Sequence, residues 1–112
     1  DQIILSLSNP NPEITPEAAL AAGAAFAADG KSVNNVLGFP GILRGAIDSY
    51  AHRISHEMYL AAAEAIAELT PPDELVPNPL DKSVHQAVAR AVARTAIAQG
   101  LARVTDIAYL EV

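Results

Sequence analysis

The apolar run Ile3-Ile4-Leu5-Ser6-Leu7-Ser8, and the Asn9-Pro10-Asn11-Pro12 block that stops it, constrain the fold more than any other stretch of the chain. A continuous apolar run with β-branched residues suits a strand covered on both faces, as in a parallel sheet. Proline cannot donate to a ladder, so the strand ends there. Thr15-Pro16-Glu17 then has the chemistry of a helix start. Thr15 can cap, Pro16 fits the first helical position, and Glu17 suits the positive end of the helix dipole. That helix runs through Ala18 to Ala22, with Gly23 as C-cap. Ala24-Ala25-Phe26-Ala27-Ala28 reads as a second parallel strand, closed by Asp29-Gly30. A strand–helix–strand unit therefore occupies about the first thirty residues.

Beyond it the pattern turns helical. Asn34-Asn35 sits in a polar loop, Phe39-Pro40-Gly41 follows, and Ile42 to Tyr50 has helical spacing. Ser55 is placed to cap the next helix, with Ile54 and Tyr59 as a hydrophobic staple. That helix continues to Leu69 and stops at Thr70-Pro71-Pro72. Leu75 to Pro79 reads as an extended connector. Asp81 or Ser83 opens a last long helix, reaching Gln99 and ended by Gly100, on which Val84, Val88, Ala91, Thr95 and Ala98 share a face. Val104 to Val112 reads as a tail that packs on a neighbour or is partly disordered.

Composition narrows the function classes. The formal net charge is −6 and no basic stripe exists to follow a phosphate backbone, which argues against nucleic acid. No lysine- and arginine-rich amphipathic helix offers itself to a membrane surface, and no run reaches the ~18 apolar residues of a membrane span. With no cysteine, disulfides, zinc–thiolate sites and thiol nucleophiles all drop out. Acidity and the lack of cysteine fit a reducing cytoplasm. The 51% hydrophobic content is enough for a core, but aromatics are only 4%, so the core rests on alanine and aliphatic packing.

The chain starts almost directly in its first strand, without an initiator methionine. Two strands alone leave a hydrogen-bonding edge and an apolar face open. Both features lead us to expect a piece of a larger α/β protein: part of a Rossmann-like parallel sheet, two strands of it in this chain, followed by helices.

Most candidate chemistry has a plain alternative. His52 and His56 are four apart, a spacing that can hold a metal on a helix, but a cap at Ser55 falls between them and surface histidines explain them as well. His85 has no visible partner. Glu57, Glu64 and Glu68 read as a solvated helix face. Gly38, Gly41 and Gly45 do not follow a strand as a dinucleotide or phosphate loop requires. The two asparagine segments are more specific. In an open α/β sheet, ligands sit outside the carboxyl ends of strands. Asn9 stands at the end of the first strand, and Asn34-Asn35 follow the second. Carboxamides there offer donors and acceptors without charge, which suits a carboxamide or a hydroxy acid as ligand. The alternative is that Asn9 caps a turn and Asn34-Asn35 merely shape a loop.

The segments Ser8-Asn9-Pro10-x-Pro12-Glu13-Ile14-Thr15-Pro16-Glu17 and Asp29-Gly30-Lys31-Ser32-Val33-Asn34-Asn35-Val36-Leu37-Gly38-Phe39-Pro40-Gly41-Ile42-x-Arg44-Gly45-Ala46 closely resemble malic enzymes, especially the short bacterial type. The blocks from Ile54 to Ala67 and from Leu75 to Pro79 extend the resemblance over nearly the whole chain. It implies a C-terminal segment of a malic enzyme's NAD(P)-binding domain over residues 1–112. Residues 1–38 would supply the strand–helix–strand unit and an active-site loop, and residues 39–112 a mainly helical remainder. The family oxidises L-malate with NAD or NADP and a divalent metal, Mg or Mn, and decarboxylates it to pyruvate and carbon dioxide. By resemblance, Asn9 and Asn35 bind malate, and Asn9 and Asn34 lie beside the cofactor. The family's tyrosine acid, lysine base, metal-binding carboxylates and glycine-rich loop lie earlier in its chain. Lys31 and Tyr50 do not occupy the matching motifs, so no catalytic or metal residue is assigned here, and the segment is expected to be inactive alone. The remaining N-terminal part and a homo-oligomer, such as a homodimer, are the implied partners. A malolactic enzyme, which releases lactate, and a non-catalytic helical interaction module are the alternatives.

Overall fold

The computed structural model describes residues 1–30 and 35–111. It consists of two compact units, Asp1–Asn34 and Asn35–Val112.

In the first unit, β1 (Ile3–Ser6) and β2 (Phe26–Asp29) pair in parallel, with Ile3 opposite Phe26 and Ser6 opposite Asp29. α1 (Pro16–Ala21) connects them. Thr15 caps α1, its hydroxyl accepting from the Ala18 amide at 3.2 Å, and Pro16 fills the first turn. Gly23 leaves the helix at φ 106°, a left-handed conformation that favours glycine. β1 is shorter than the apolar run and stops at Ser6, with a cis peptide bond joining Asn9 to Pro10. β2 starts at Phe26, because the Ala24 amide still bonds back to Ala19. Ile3 and Leu5 of β1 stand 69% and 50% exposed, so the apolar run is not covered on both faces by the described residues.

The second unit is helical. A 3-10 turn (Asn35–Leu37) leads into α2 (Phe39–Asp48), and α3 (His56–Glu68) and α4 (Lys82–Ala98) follow. α2 begins three residues before the expected start. Phe39 and Pro40 form its first turn, where proline's missing N–H costs nothing. Ser55 caps α3, accepting from the Met58 amide at 3.2 Å, while the Met58 sulfur accepts from the Ser55 amide. Ile54 packs against the buried cluster, whereas Tyr59 is half exposed. Asp81 caps α4 by accepting from the Ser83 amide at 2.9 Å. The core gathers Ala46, Met58, Ala62, Val88, Val92 and Ala96.

The buried stripe of α4 is not the expected one. Val84 and Val88 belong to it, but Val92, Ala93 and Ala96 are buried while Ala91 and Thr95 are half-buried and Ala98 is exposed. The cause lies on α2. A Cβ at Gly41 would stand 2.7 Å from Val88 Cβ, and one at Gly45 only 2.5 Å from the Ala89 carbonyl oxygen. These two glycines, one helical turn apart, let the α2 backbone sink onto the 88/92 ridge of α4, which fixes α4's rotation.

The tail is ordered on α4. Ile107 is buried, and a 3-10 turn (Ala108–Leu110) is held by Arg90 Nε donating to the Tyr109 carbonyl and Arg94 Nη2 donating to the Leu110 carbonyl, at 3.1 and 3.2 Å. No helix among the described residues is long and apolar enough to cross a membrane.

Candidate functional site

The loop that carries Asn9 is built by short-range hydrogen bonds. Below it, the buried Ser6 hydroxyl donates to the Ile14 carbonyl at 2.7 Å and so ties the strand's last residue to the far end of the loop. Above that, the Ser8 amide donates to Glu13 Oε1 at 2.9 Å. The side-chain and backbone hydrogen bonds from Ser8 hold the Glu13 carboxyl below its ordinary value. Residues 9–12 are thus clamped from both ends, and Asn9 is exposed just beyond the carboxyl end of β1.

Gly30 is the residue that sequence reasoning missed. It is buried directly after β2, and a Cβ there would lie 2.7 Å from Asn9 Oδ1 and 3.2 Å from the Leu7 carbonyl oxygen. The turn after β2 is therefore the floor on which the Asn9 carboxamide rests. In the sequence Gly30 reads as a strand terminator. The only available signal is that a glycine follows a strand adjacent to one that ends in asparagine.

Asn34 and Lys31 lie outside the described residues, as does the Asn35 side chain; the Asn35 backbone opens the 3-10 turn before α2. Asn9 and Asn35 belong to different units. The histidines join no metal-binding group among the described residues. The exposed His52 sits with Nδ1 3.2 Å from Arg103 Nη2, His56 opens α3 in solvent, and His85 Nε2 lies 2.7 Å from the Pro79 carbonyl oxygen. Glu57, Glu64 and Glu68 are all exposed, as a solvated face requires. Tyr50 is exposed and adopts φ 48° at the end of α2. Among the described residues no group of three His, Cys, Asp or Glu side chains could hold a metal ion.

Asn9 thus stands beyond the carboxyl end of a parallel strand, the side of an open α/β sheet on which ligands bind. The profile of the family described as "Malic enzyme, NAD binding domain" matches residues 1–101. The chain belongs to the malic enzyme NAD-binding domain family. It is 64% identical over 96 residues to NAD-dependent malic enzyme 1 of Bacillus subtilis, covering 86% of this chain and 22% of that protein. It is 52% identical over 115 residues to the bifunctional malic/malolactic enzyme of the same organism, covering 94% and 28%. Among solved structures, the malic enzyme from Pyrococcus horikoshii superposes with a TM-score of 0.82 at 45% identity, covering 92% of this chain and 26% of that one. The chain thus spans about a quarter of the length of the malic enzymes it matches. The two-stranded parallel sheet with its helices is a Rossmann-like α/β segment of that fold.

Proposed function

We infer that this chain is part of a malic enzyme and supplies residues that position malate and the nicotinamide of NAD or NADP. The observation that carries this reading is the exposed Asn9 carboxamide beyond the end of β1, seated on Gly30, in a chain of this family. The fit to a nicotinamide rests on that same cradle: a Cβ at position 30 would push the carboxamide aside, and the carboxamide presents a neutral donor and acceptor.

When bound, NAD or NADP would supply the hydride acceptor for oxidation of malate at C2, the oxidation that precedes loss of carbon dioxide and formation of pyruvate. Asn9 contributes to holding malate and cofactor, Asn35 to holding malate, and Asn34 borders the cofactor. Their contribution is orientation rather than proton transfer, and a well-oriented bound geometry can remove several kcal/mol of barrier, of the order of ~7 or more. Residues 1–38 form the part of the NAD(P)-binding domain that carries this loop system, and residues 39–112 its helical support. The divalent metal, Mg or Mn, and the acid–base pair come from other parts of the enzyme. The intact enzyme works in the cytoplasm as a homo-oligomer, with L-malate and the rest of its own chain as partners.

The purified 112-residue chain is expected to give no malate-dependent formation of reduced nicotinamide cofactor, while the full-length enzyme gives pyruvate. Turnover by the chain alone would refute the division of labour proposed here. The name of the second Bacillus relative favours one further reading, a malolactic outcome; lactate in place of pyruvate as the product would establish it.

A further inference from the structure

A cleft of about 670 Å³ lies between α2, the start of α4 and the tail, within the helical unit. Its charge is opposite to that of the molecule. The chain carries a net charge of −6 and only seven lysines and arginines, yet Arg44, Lys82 and Arg90 all line this one cleft, with His85, Gln86 and Tyr109, and no carboxylate is among the lining residues.

Two of the three cations are partly engaged and one is not. Arg44 pairs with Asp48 one turn along α2. Arg90 uses Nε to hold the Tyr109 carbonyl. Among the described residues Lys82 has no ion pair. The wall behind them is mostly apolar, with two polar atoms left unpaired. His85 Nδ1 and the Tyr109 hydroxyl are buried without a hydrogen-bond partner. Native proteins seldom leave such atoms unpaired, and an ion or water is a usual partner. Asp48, which pairs with Arg44, also neighbours the Tyr109 phenol and helps to keep its proton on, so His85 Nδ1 is the buried atom with the clearest need of a partner.

We propose that this cleft binds a small, multiply charged oxyanion, held by Lys82 and Arg90 with Arg44 in competition between the anion and Asp48. The excess of positive charge selects an anion, and the planar guanidinium groups match the oxygens of carboxylate and phosphate alike. The site lies wholly within the helical unit and does not depend on the Asn9 reading.

The test is a titration of the full-length enzyme with inorganic phosphate and, separately, with citrate, followed by amide chemical shifts and by calorimetry. Saturable binding with a Kd of about 1 mM or tighter is expected for at least one of them, with shifts centred on residues 82–90 and 109. Lys82→Gln should weaken it by about fivefold or more, and Asp48→Asn should strengthen it by releasing Arg44. Citrate alone binding assigns the site to polycarboxylates; phosphate alone assigns it to phosphate groups. Shifts that never saturate, that scatter over exposed cations such as Arg53 and Arg103, or that ignore both substitutions would overturn the proposal. Native-like dispersion of the spectra of both variants separates lost binding from lost fold.

Discussion

At the residue scale, the proposed binding role of Asn9 turns on its contact with Gly30. Gly30 lies under the carboxamide so closely that a methyl group would displace it. The clash is chiefly with the mobile end of a side chain, so Gly30→Ala should cost little stability. In the full-length enzyme it should nevertheless lower kcat/KM for malate about tenfold, since loss of a single well-placed hydrogen bond is worth about 1.5 kcal/mol. In an Asn9→Ala background the same substitution should add almost nothing, because the group it displaces is already gone. A double-mutant cycle reads this directly. Asn9 itself was legible, because a polar residue after an apolar strand is a local pattern. Its partnership with Gly30 was not, because the two are brought together only by parallel pairing of strands separated by a helix.

At the scale of elements, the helix starts were the most readable features. Thr15, Ser55 and Asp81 each accept a hydrogen bond from an amide in the first turn, as short polar side chains at such positions should. The rotation of α4 was not readable, because it is set by α2. Gly41 and Gly45 carry no side chain to mark the contact, and periodicity along α4 alone cannot see them. Gly45→Ala should therefore destabilise the helical unit. Alanine's helix preference gains about 1 kcal/mol, but a Cβ pressed on a backbone carbonyl costs about 1–3, and a net loss near 1 kcal/mol is expected in urea denaturation. An equal or higher denaturation midpoint would show that the helices part without cost.

The tail offers an independent check at the same scale. Burial first, then the neighbouring Asp48 carboxylate, push the Tyr109 phenol up to about 12 from its ordinary 10.0. A raised value means that the folded chain keeps this proton after the unfolded chain has lost it. The associated stability is present below pH 10.0 and is lost as the pH climbs to about 12. Tyr109→Phe should flatten the alkaline fall of the denaturation midpoint across that window. An unchanged fall would mean that the tail leaves α4 before the phenol ionises.

Over the whole molecule, sequence and fold agree on class and differ in extent. The strand–helix–strand order and the parallel pairing follow from the apolar runs and the proline block. The exposure of Ile3 and Leu5 shows what the pattern alone could not locate: the run is written for neighbours that the described residues do not include. The tail, for which the sequence leaves packing on a neighbour and partial disorder both open, is fastened on α4 by arginines whose reach has no local signature. Asn9 gains its contact in the same way, from the Gly30 it is brought to and not from its immediate neighbours. The most direct measurement is steady-state kinetics of Asn9→Ala in the full-length enzyme. A fall in kcat/KM for malate of about 10- to 100-fold with the fold intact is expected, as for a lost hydrogen bond to a charged substrate. A value equal to that of the unsubstituted enzyme would contradict the assignment and leave Asn9 a turn residue.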